Sequence, residues 1–555
     1  MAKTHEIAQK LNLNSFHMKK LLMIFMAALI TGTLIAGGLV TNTNQSAAWV
    51  RLPARNASTG IDAAYFNPAG LMKLENGFHI SVSNQTISQT KDVENFYTGP
   101  GGMYGLNENL FTGNVSAPLF PSVYAVYKME KLAFSVGFNP VGGGGGAEYK
   151  KGLPSFAMGP SDLVPSLASQ GVTDYRLDAY LKGSSVYMGF QGGLSYKVND
   201  WLSVAAGIRY VMAKNSYFGH LTDIEVLFPS PVNWTRADAV MTGIANTATG
   251  SATGLQDAIT AGLIQANDPI SPTVAAGLTA LGIDPTGFTN AIAIAAFGQA
   301  AAKYTATATL LGDQEIPESE AVEQTGSGIT PIFSVNISPS EKLNIGIKYE
   351  MATRMELENK TTKDFLIGFT AEGTPITMFP NGEKTPSDMP ALLSIGADYR
   401  LCSAAKLSVG ANYFFDKSAN YGHKLDLDTD PSTPSTFVDN DYIIDDNGMS
   451  LFGGIEVNIT DKLLVSGGYA WANKGVNSNY QSDLTYGLAT QTFGFGGAYN
   501  VLDNLQFNVG ASYTLYKSDE KMINHVFSAT GAVIPALETY CKNAMIIAVG
   551  LDFSF

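Results

Sequence analysis

Glu341-Lys342-Leu343-Asn344-Ile345-Gly346-Ile347-Lys348-Tyr349-Glu350-Met351 is the stretch on which the fold turns. A polar turn opens it. From Leu343 onward, apolar residues alternate with polar or small ones, the period of a strand with two unlike faces. The opening phrase recurs. Glu130-Lys131-Leu132, Asp200-Trp201-Leu202, Ala405-Lys406-Leu407, Asp461-Lys462-Leu463 and Asp503-Asn504-Leu505 each start another alternating run. A further run precedes each copy, as Leu451–Ile459 does before Asp461. The unit is therefore strand, tight turn, strand. Irregular spacing between copies excludes a solenoid of fixed period. Short turns on one side and long connections on the other describe a transmembrane β-barrel.

Period-two alternation predicts fourteen strands, at 77–90, 119–129, 132–142, 183–198, 201–214, 325–339, 342–357, 388–400, 405–418, 447–460, 462–473, 487–500, 504–517 and 543–555. The expected fold is all-β, a closed antiparallel barrel of even strand number with both termini on one side. In 504–517, Leu505, Phe507, Val509, Ala511 and Tyr513 should face lipid, and Gln506, Asn508, Gly510 and Ser512 the lumen. Tyr210, Tyr349, Tyr413, Tyr469, Trp471 and Tyr513 fall where an interfacial aromatic girdle belongs. The last strand ends on Phe555, which resembles the signal read by the barrel-assembly machinery of outer membranes. That machinery is an expected partner, and the expected location is the outer membrane of a Gram-negative bacterium.

Composition agrees. Of 555 residues, 45% are apolar and only 15% charged, with no series of long apolar helices. A barrel reconciles these values, because only alternate residues meet lipid. A net charge of −14 argues against a nucleic-acid partner. Cys402 and Cys541 are expected at opposite ends of the barrel, about 25 Å or more apart. A disulfide needs Cα atoms within roughly 7 Å, so two free thiols are expected. No His, Cys or acidic constellation suggests catalysis or a cofactor. The acidic loop Asp426–Asp446 reads as a solvated surface loop, the alternative being a site for cations that bridge lipopolysaccharide.

Lys19 and Lys20 precede the apolar run Leu21–Val40, so residues 1–36 read as a signal peptide, with Met18 a possible true start. Residues 37–76 have no place in the wall and are expected to plug the barrel, which occupies 77–555. The connection 215–324 is the longest. Its Ala-, Thr- and Leu-rich part predicts short helices such as Leu255–Ala266 and Ala291–Thr305, broken by Pro269, Pro272 and Pro285.

Within 37–76, the phrase Asn67-Pro68-Ala69-Gly70-Leu71 resembles the hatch of the long-chain fatty acid transporter family, FadL/TodX. The resemblance implies a 14-stranded outer-membrane barrel with an amino-terminal hatch and helical extracellular loops. It also implies passive uptake of fatty acids or similar hydrophobic molecules, by loop capture, lumenal binding and lateral release. Lipids of the outer membrane would then be neighbours and the protein a monomer. A polar-solute porin and an adhesin or receptor barrel are the alternatives. The third strand supplies a candidate exit. It meets Asn139-Pro140-Val141-Gly142-Gly143-Gly144, where proline cannot donate a ladder bond and glycine supplies no side chain. Pairing should fail there. For a ligand carboxylate, alternation places Arg209, Lys348 and Arg354 in the lumen, with an ion-pair network as the rival use of these cations.

Overall fold

A computed structural model describes residues 39–102, 104–370, 373–425, 436–527 and 530–555. The expected signal segment and much of the acidic loop lie outside these residues. The wall begins with β1 Gly77–Asn95, β2 Leu110–Lys128, β3 Leu132–Tyr149, β4 Asp174–Lys197 and β5 Leu202–Pro229. It continues through β6 Val322–Ile337, β7 Leu343–Glu350, β8 Leu392–Arg400, β9 Ala405–Phe414 and β10 Met449–Asn458. It ends with β11 Leu463–Asn473, β12 Thr490–Leu502, β13 Leu505–Tyr516 and β14 Ala532–Ser554. Each strand pairs antiparallel with the next. β14 then pairs with β1, from His79 opposite Ser554 to Asn95 opposite Glu538, so 14 strands close without a free edge.

The two faces sort as alternation requires. Phe507, Val509 and Tyr513 are exposed outside, while Asn508, Ser512 and Thr514 are buried inside. Tyr210, Tyr349, Tyr413, Tyr469 and Tyr513 are likewise exposed. Among the described residues no helix is long and apolar enough to cross a membrane. Several strands outrun the alternating cores. β2 begins at Leu110, β4 at Asp174 and β14 at Ala532, and β5 continues to Pro229. The barrel wall rises beyond the lipid belt, where apolar residues such as Tyr217, Leu221 and Val226 of β5 face inward instead of outward.

The seventh strand corrects the expectation of one run over 342–357. β7 stops at Glu350, and a short strand Glu356–Lys360 resumes the wall in a register shifted by one residue. Inward positions change there from Gly346, Lys348 and Glu350 to Thr353, Met355 and Leu357. A one-residue slip moves every later side chain to the other face.

Short segments on the lumen side form the plug: α1 Ala47–Arg51, α2 Ala63–Phe66 and a 3-10 turn at Pro68–Lys73. Of the helices above the barrel, one contains the expected Ala291–Thr305, while another starts well before Leu255 and ends short of Ala266. They are α3 Ala237–Thr260, α4 Pro272–Ala280 and α5 Asn290–Leu311. Pro272 starts α4, where its missing N–H costs nothing. The cap has a core of its own around Leu278, Phe288 and Phe297. Both cysteines are free.

The plug fits because the wall is bare beneath it. Gly346, Gly396, Gly410, Gly454, Gly468, Gly494, Gly510 and Gly550, one from each of β7–β14, face plug atoms. A methyl group at Gly346 would lie 2.6 Å from the Asn56 carbonyl oxygen, and one at Gly396 2.5 Å from the Asn56 Cβ. Replacing Gly410 by leucine should collide with the Asn56 amide and weaken plug docking by about 1–3 kcal/mol. Proteolysis within residues 39–76 should then accelerate while the barrel keeps its heat-modifiable mobility. Unchanged proteolysis would count against glycine clearance as the basis of the fit.

Candidate functional site

The plug is tied to the wall residue by residue. Ser46 caps α1 by accepting from the Trp49 N–H, and its hydroxyl donates to Asp62 at 2.9 Å. Arg55 grips both Asp62 oxygens at 2.6 and 3.0 Å, and Ser58 adds a third donor at 2.6 Å. Burial alone would raise the Asp62 carboxyl, but Arg55 and the two hydroxyls hold it below the usual carboxylate range. Arg51 reaches Glu456 and Ser466 on β10 and β11, each at 2.7 Å.

Asn67, Pro68, Ala69 and Gly70 each have a structural task. The Asn67 amide donates to the Ser58 carbonyl and to Asn336 at 2.8 Å, while its oxygen accepts from Ser334 at 3.1 Å. Pro68 opens the 3-10 turn, and its carbonyl accepts from Ser195 at 2.7 Å. The Ala69 carbonyl accepts from Ser203 at 2.7 Å. Gly70 passes so close that a methyl there would meet the Asn67 Nδ2 at 2.5 Å. These four residues thus engage β4, β5 and β6.

The wall is interrupted between β2 and β3. Pairing runs from Lys128 opposite Ala133 to Val123 opposite Phe138, then resumes only at Val115 opposite Ala147. The unpaired part of β2 holds Pro118 and Pro121, and that of β3 holds Pro140 and the glycines. Leu119 is 78% exposed, whereas Asn139–Gly144 are buried without alternation, as in a strand bent into the lumen. On its other side β3 still pairs with β4, with register shifts around Gly142. Gly143 sits at φ +91°, a conformation side chains rarely adopt.

The plug supplies the partners that β2 does not. The Asn42 N–H donates to the Val141 carbonyl at 2.8 Å, and the Asn42 amide to the Gly143 carbonyl at 3.0 Å. Gln45 donates to the Pro140 carbonyl at 2.7 Å and accepts from Asn139 at 2.7 Å. The Tyr124 hydroxyl on β2 donates to the Gln45 carbonyl at 2.8 Å. Asn42 and Gln45 were not singled out from sequence. A run of polar residues that becomes wholly buried, Thr41–Ser46, carries no local signature of its partner.

The cations expected to await a carboxylate are already engaged. Arg209 makes two bonds to Glu350, at 2.7 and 3.1 Å, and two to Gln191. Lys348 donates to the same carboxylate at 2.6 Å and to the Tyr65 carbonyl at 2.9 Å. Both cations lie against the Tyr65 ring, 4.9 and 4.4 Å from its centroid. The rival ion-pair reading therefore describes Arg209 and Lys348. Arg354 is not lumenal. The register slip after Glu350 turns its side chain outward, 64% exposed, where it pairs with Asp388. Glu350, on the same face, is the partner that the rival reading rests on, and Tyr65 is the residue that sequence reasoning did not place with these cations.

Above the plug, part of the lumen is lined by apolar side chains. Phe120, Tyr149, Phe156, Tyr187, Tyr217 and Phe379 belong to one buried cluster, with Met355, Met378 and Met389. Near the short-turn end the character reverses. A cavity of about 190 Å³ between plug and wall is lined by Arg51, Arg55, Asp62, Glu456, Asp552 and other largely polar residues. His79 is buried and bonded to Ser554 and the Glu75 carbonyl. Among the described residues no group of three His, Cys or acidic side chains is placed to hold a metal.

Glu350 is the anion shared by two buried cations. Glu350→Gln should destabilise the protein by about 3–5 kcal/mol, the usual result of stranding buried charge. Replacing Arg209, Lys348 and Glu350 together by methionine should cost less. Denaturant unfolding in detergent measures both, and equal losses would mean that charge pairing is not what the cluster contributes.

No family model matches the sequence, and no curated protein is detectably similar to it. Solved structures are. A Pseudomonas aeruginosa FadL homologue superposes with a TM-score of 0.56 at 12% identity, over 94% of this chain and 100% of that one. The P. putida toluene transporter TodX gives 0.46 at 12% identity, over 89% and 94%. The Ralstonia pickettii toluene transporter TbuX gives 0.42 at 14% identity, over 89% and 94%. With its closed wall, lipid-facing apolar belt and whole-chain superposition on the first of these structures, the chain has the fold of the FadL-type outer-membrane barrels.

Proposed function

We propose that this protein takes up hydrophobic small molecules across the outer membrane without an energy source, as a channel and not an enzyme. Its outer loops capture cargo, the apolar lumen holds it, and the break between β2 and β3 releases it sideways into the membrane. The observation that carries this reading is the break itself. Both strands lose their mutual ladder over the segment where prolines and glycines concentrate, while the plug occupies the lumen beside it.

The polarity of the two ends favours the same route. Cargo passing downward would leave an apolar cluster for a polar cavity lined by charged side chains. Full hydration costs about 25 cal/mol per Å² of apolar surface. A sideways path spares that cost, because cargo exchanges one apolar surrounding for another. The FadL homologue named above shares the fold over the whole chain. Long-chain fatty acids are within the proposed range of cargo, but Arg209 and Lys348 are not their anchor.

Closing the break tests the route. A variant with Pro118, Pro121 and Pro140 changed to threonine, and Gly143 and Gly145 to valine, should restore β2–β3 pairing. Uptake of radiolabelled palmitate and toluene should fall at least about tenfold, with surface level and heat-modifiable mobility retained. Undiminished uptake by the inserted variant would rule out lateral exit.

A further inference from the structure

The β3–β4 connection does not stay on its own side of the barrel. Residues 153–167, a helix Pro154–Ser161 and a turn Leu163–Ser166, fold inward over the lumen. Leu153, Phe156, Leu163 and Leu167 join the buried lumenal cluster, and the Phe156 ring meets Phe365 edge-on at 5.9 Å. The polar attachments of the segment lie on elements far from β3 and β4. The Ser155 N–H donates to Asp483 of the β11–β12 connection at 3.0 Å. Asp162 accepts from the Tyr97 hydroxyl of the β1–β2 connection at 2.7 Å. It is also bonded, at 2.7 Å, to His525 on the short strand Asp519–Phe527 before β14. The segment therefore reaches across the long-loop end of the barrel.

Two buried carboxyl groups lie against it. Glu538, on the part of β14 above the lipid belt, is 1% exposed and Asp483 is 7% exposed. Glu538 accepts from the Tyr540 hydroxyl at 2.7 Å and from the Asn95 amide at 2.8 Å. The same amide donates to the Met158 sulfur of the segment at 3.8 Å. Lys521 stands opposite Glu538 in the ladder, but its ammonium donates to the Gln481 carbonyl at 2.6 Å. Asp519 accepts from the Gln481 amide at 2.6 Å. Tyr149 lies within electrostatic reach of Asp483, and Tyr175 of Asp162.

Burial, and then the neighbouring Asp483, push the Glu538 carboxyl up to about 8. Burial raises the Asp483 carboxyl in the same sense. The covered arrangement thus favours a protonated Glu538, whereas a lifted segment admits water and restores the ordinary acid. Closure gains from that proton in full below the ordinary glutamate range, and the gain is lost as pH rises through about 8. Burial lowers the Lys521 ammonium, which works in the opposite sense as lysine sheds its proton at higher pH.

We propose that residues 153–167 are a lid on the outer mouth, latched by buried carboxyl groups and released as the outside medium turns from acid to mildly alkaline. Asp162 anchors one end through Tyr97 and His525, and Glu538 with Asp483 responds to protons. The lid continues directly from β3, so the strand that forms the wall break also carries the cover of the entrance. This rests on the uptake reading above and adds control of entry to it.

The test follows the lid in the full-length protein in lipid nanodiscs. Cys402 and Cys541 are changed to serine, and nitroxide labels are carried by S169C, just beyond the lid, and N114C on β2, both exposed positions. Pulsed electron spin resonance should give one distance at about pH 5 and a second, broader population that grows up to about pH 8. E538Q keeps a hydrogen-bonding oxygen and cannot ionise, so its distances should stay those of the closed lid. Should E538Q insert poorly, D483N should reduce the rise at least about threefold. Toluene uptake by cells should follow the open population in the wild type and lose that pH dependence in E538Q. Wild-type distances that do not change with pH, or an unchanged rise in the inserted variants, overturn the lid and leave uptake standing. A lid that opens as described while neither palmitate nor toluene enters at any pH supports the lid and removes the uptake reading.

Discussion

Every backbone N–H and C=O in the hydrocarbon layer needs a partner within the protein, and this single requirement organises the molecule. The wall meets it by closing β14 onto β1 over seventeen residue pairs, from His79 to Asn95. Where β2 and β3 part, the requirement does not lapse. β3 bends into the lumen and keeps β4 on one side, while Asn42 and Gln45 of the plug satisfy the carbonyls of Pro140, Val141 and Gly143. On the β2 side, Asn84 and Thr86 of the neighbouring strand take the Pro118 carbonyl. A local break in the wall is thus held open by side chains that belong to other elements.

The plug is consequently a structural member of the wall break as well as a stopper. Its docking depends on space and on charge. Glycines on eight successive strands clear room for residues 47–57, and serine and asparagine side chains of the lumen face supply the matching hydrogen bonds. The lumenal charge of β5 and β7 is turned to the same end, since Arg209, Lys348 and Glu350 close around Tyr65 of the plug. Charge that looked available for cargo in the linear sequence serves to position the plug.

Much of this was legible in the residues. Strand order, the inward and outward faces and the turn positions followed from period-two alternation and recurring polar turns, because a side chain's face in a strand is set by its own position. Asn67–Gly70 stood out, and so did the Pro140 and glycine stretch, since proline and glycine act locally on the chain that contains them. The heights of β2, β4, β5 and β14 were underread, because above the lipid belt the apolar residues of strands such as β4 and β5 face inward, as Leu181 and Leu221 do, and the lipid-facing pattern no longer applies. Arg354 was misplaced for a related reason. Nothing in Met351–Met355 announces the slipped residue, yet that slip reverses the facing of everything after it.

By itself, then, the sequence determined an outer-membrane type of barrel: its strands, their lipid and lumen faces and the proline and glycine stretch in its third strand. These are properties of neighbours in the chain and of the two solvents it must meet. The tertiary structure alone decided which polar groups find each other. It brought Gln45 to Pro140, Asn56 to the glycines of β7–β9, and Glu350 to Arg209 and Lys348. Such pairings join residues far apart in the chain, and they depend on barrel closure and register, which no local pattern encodes.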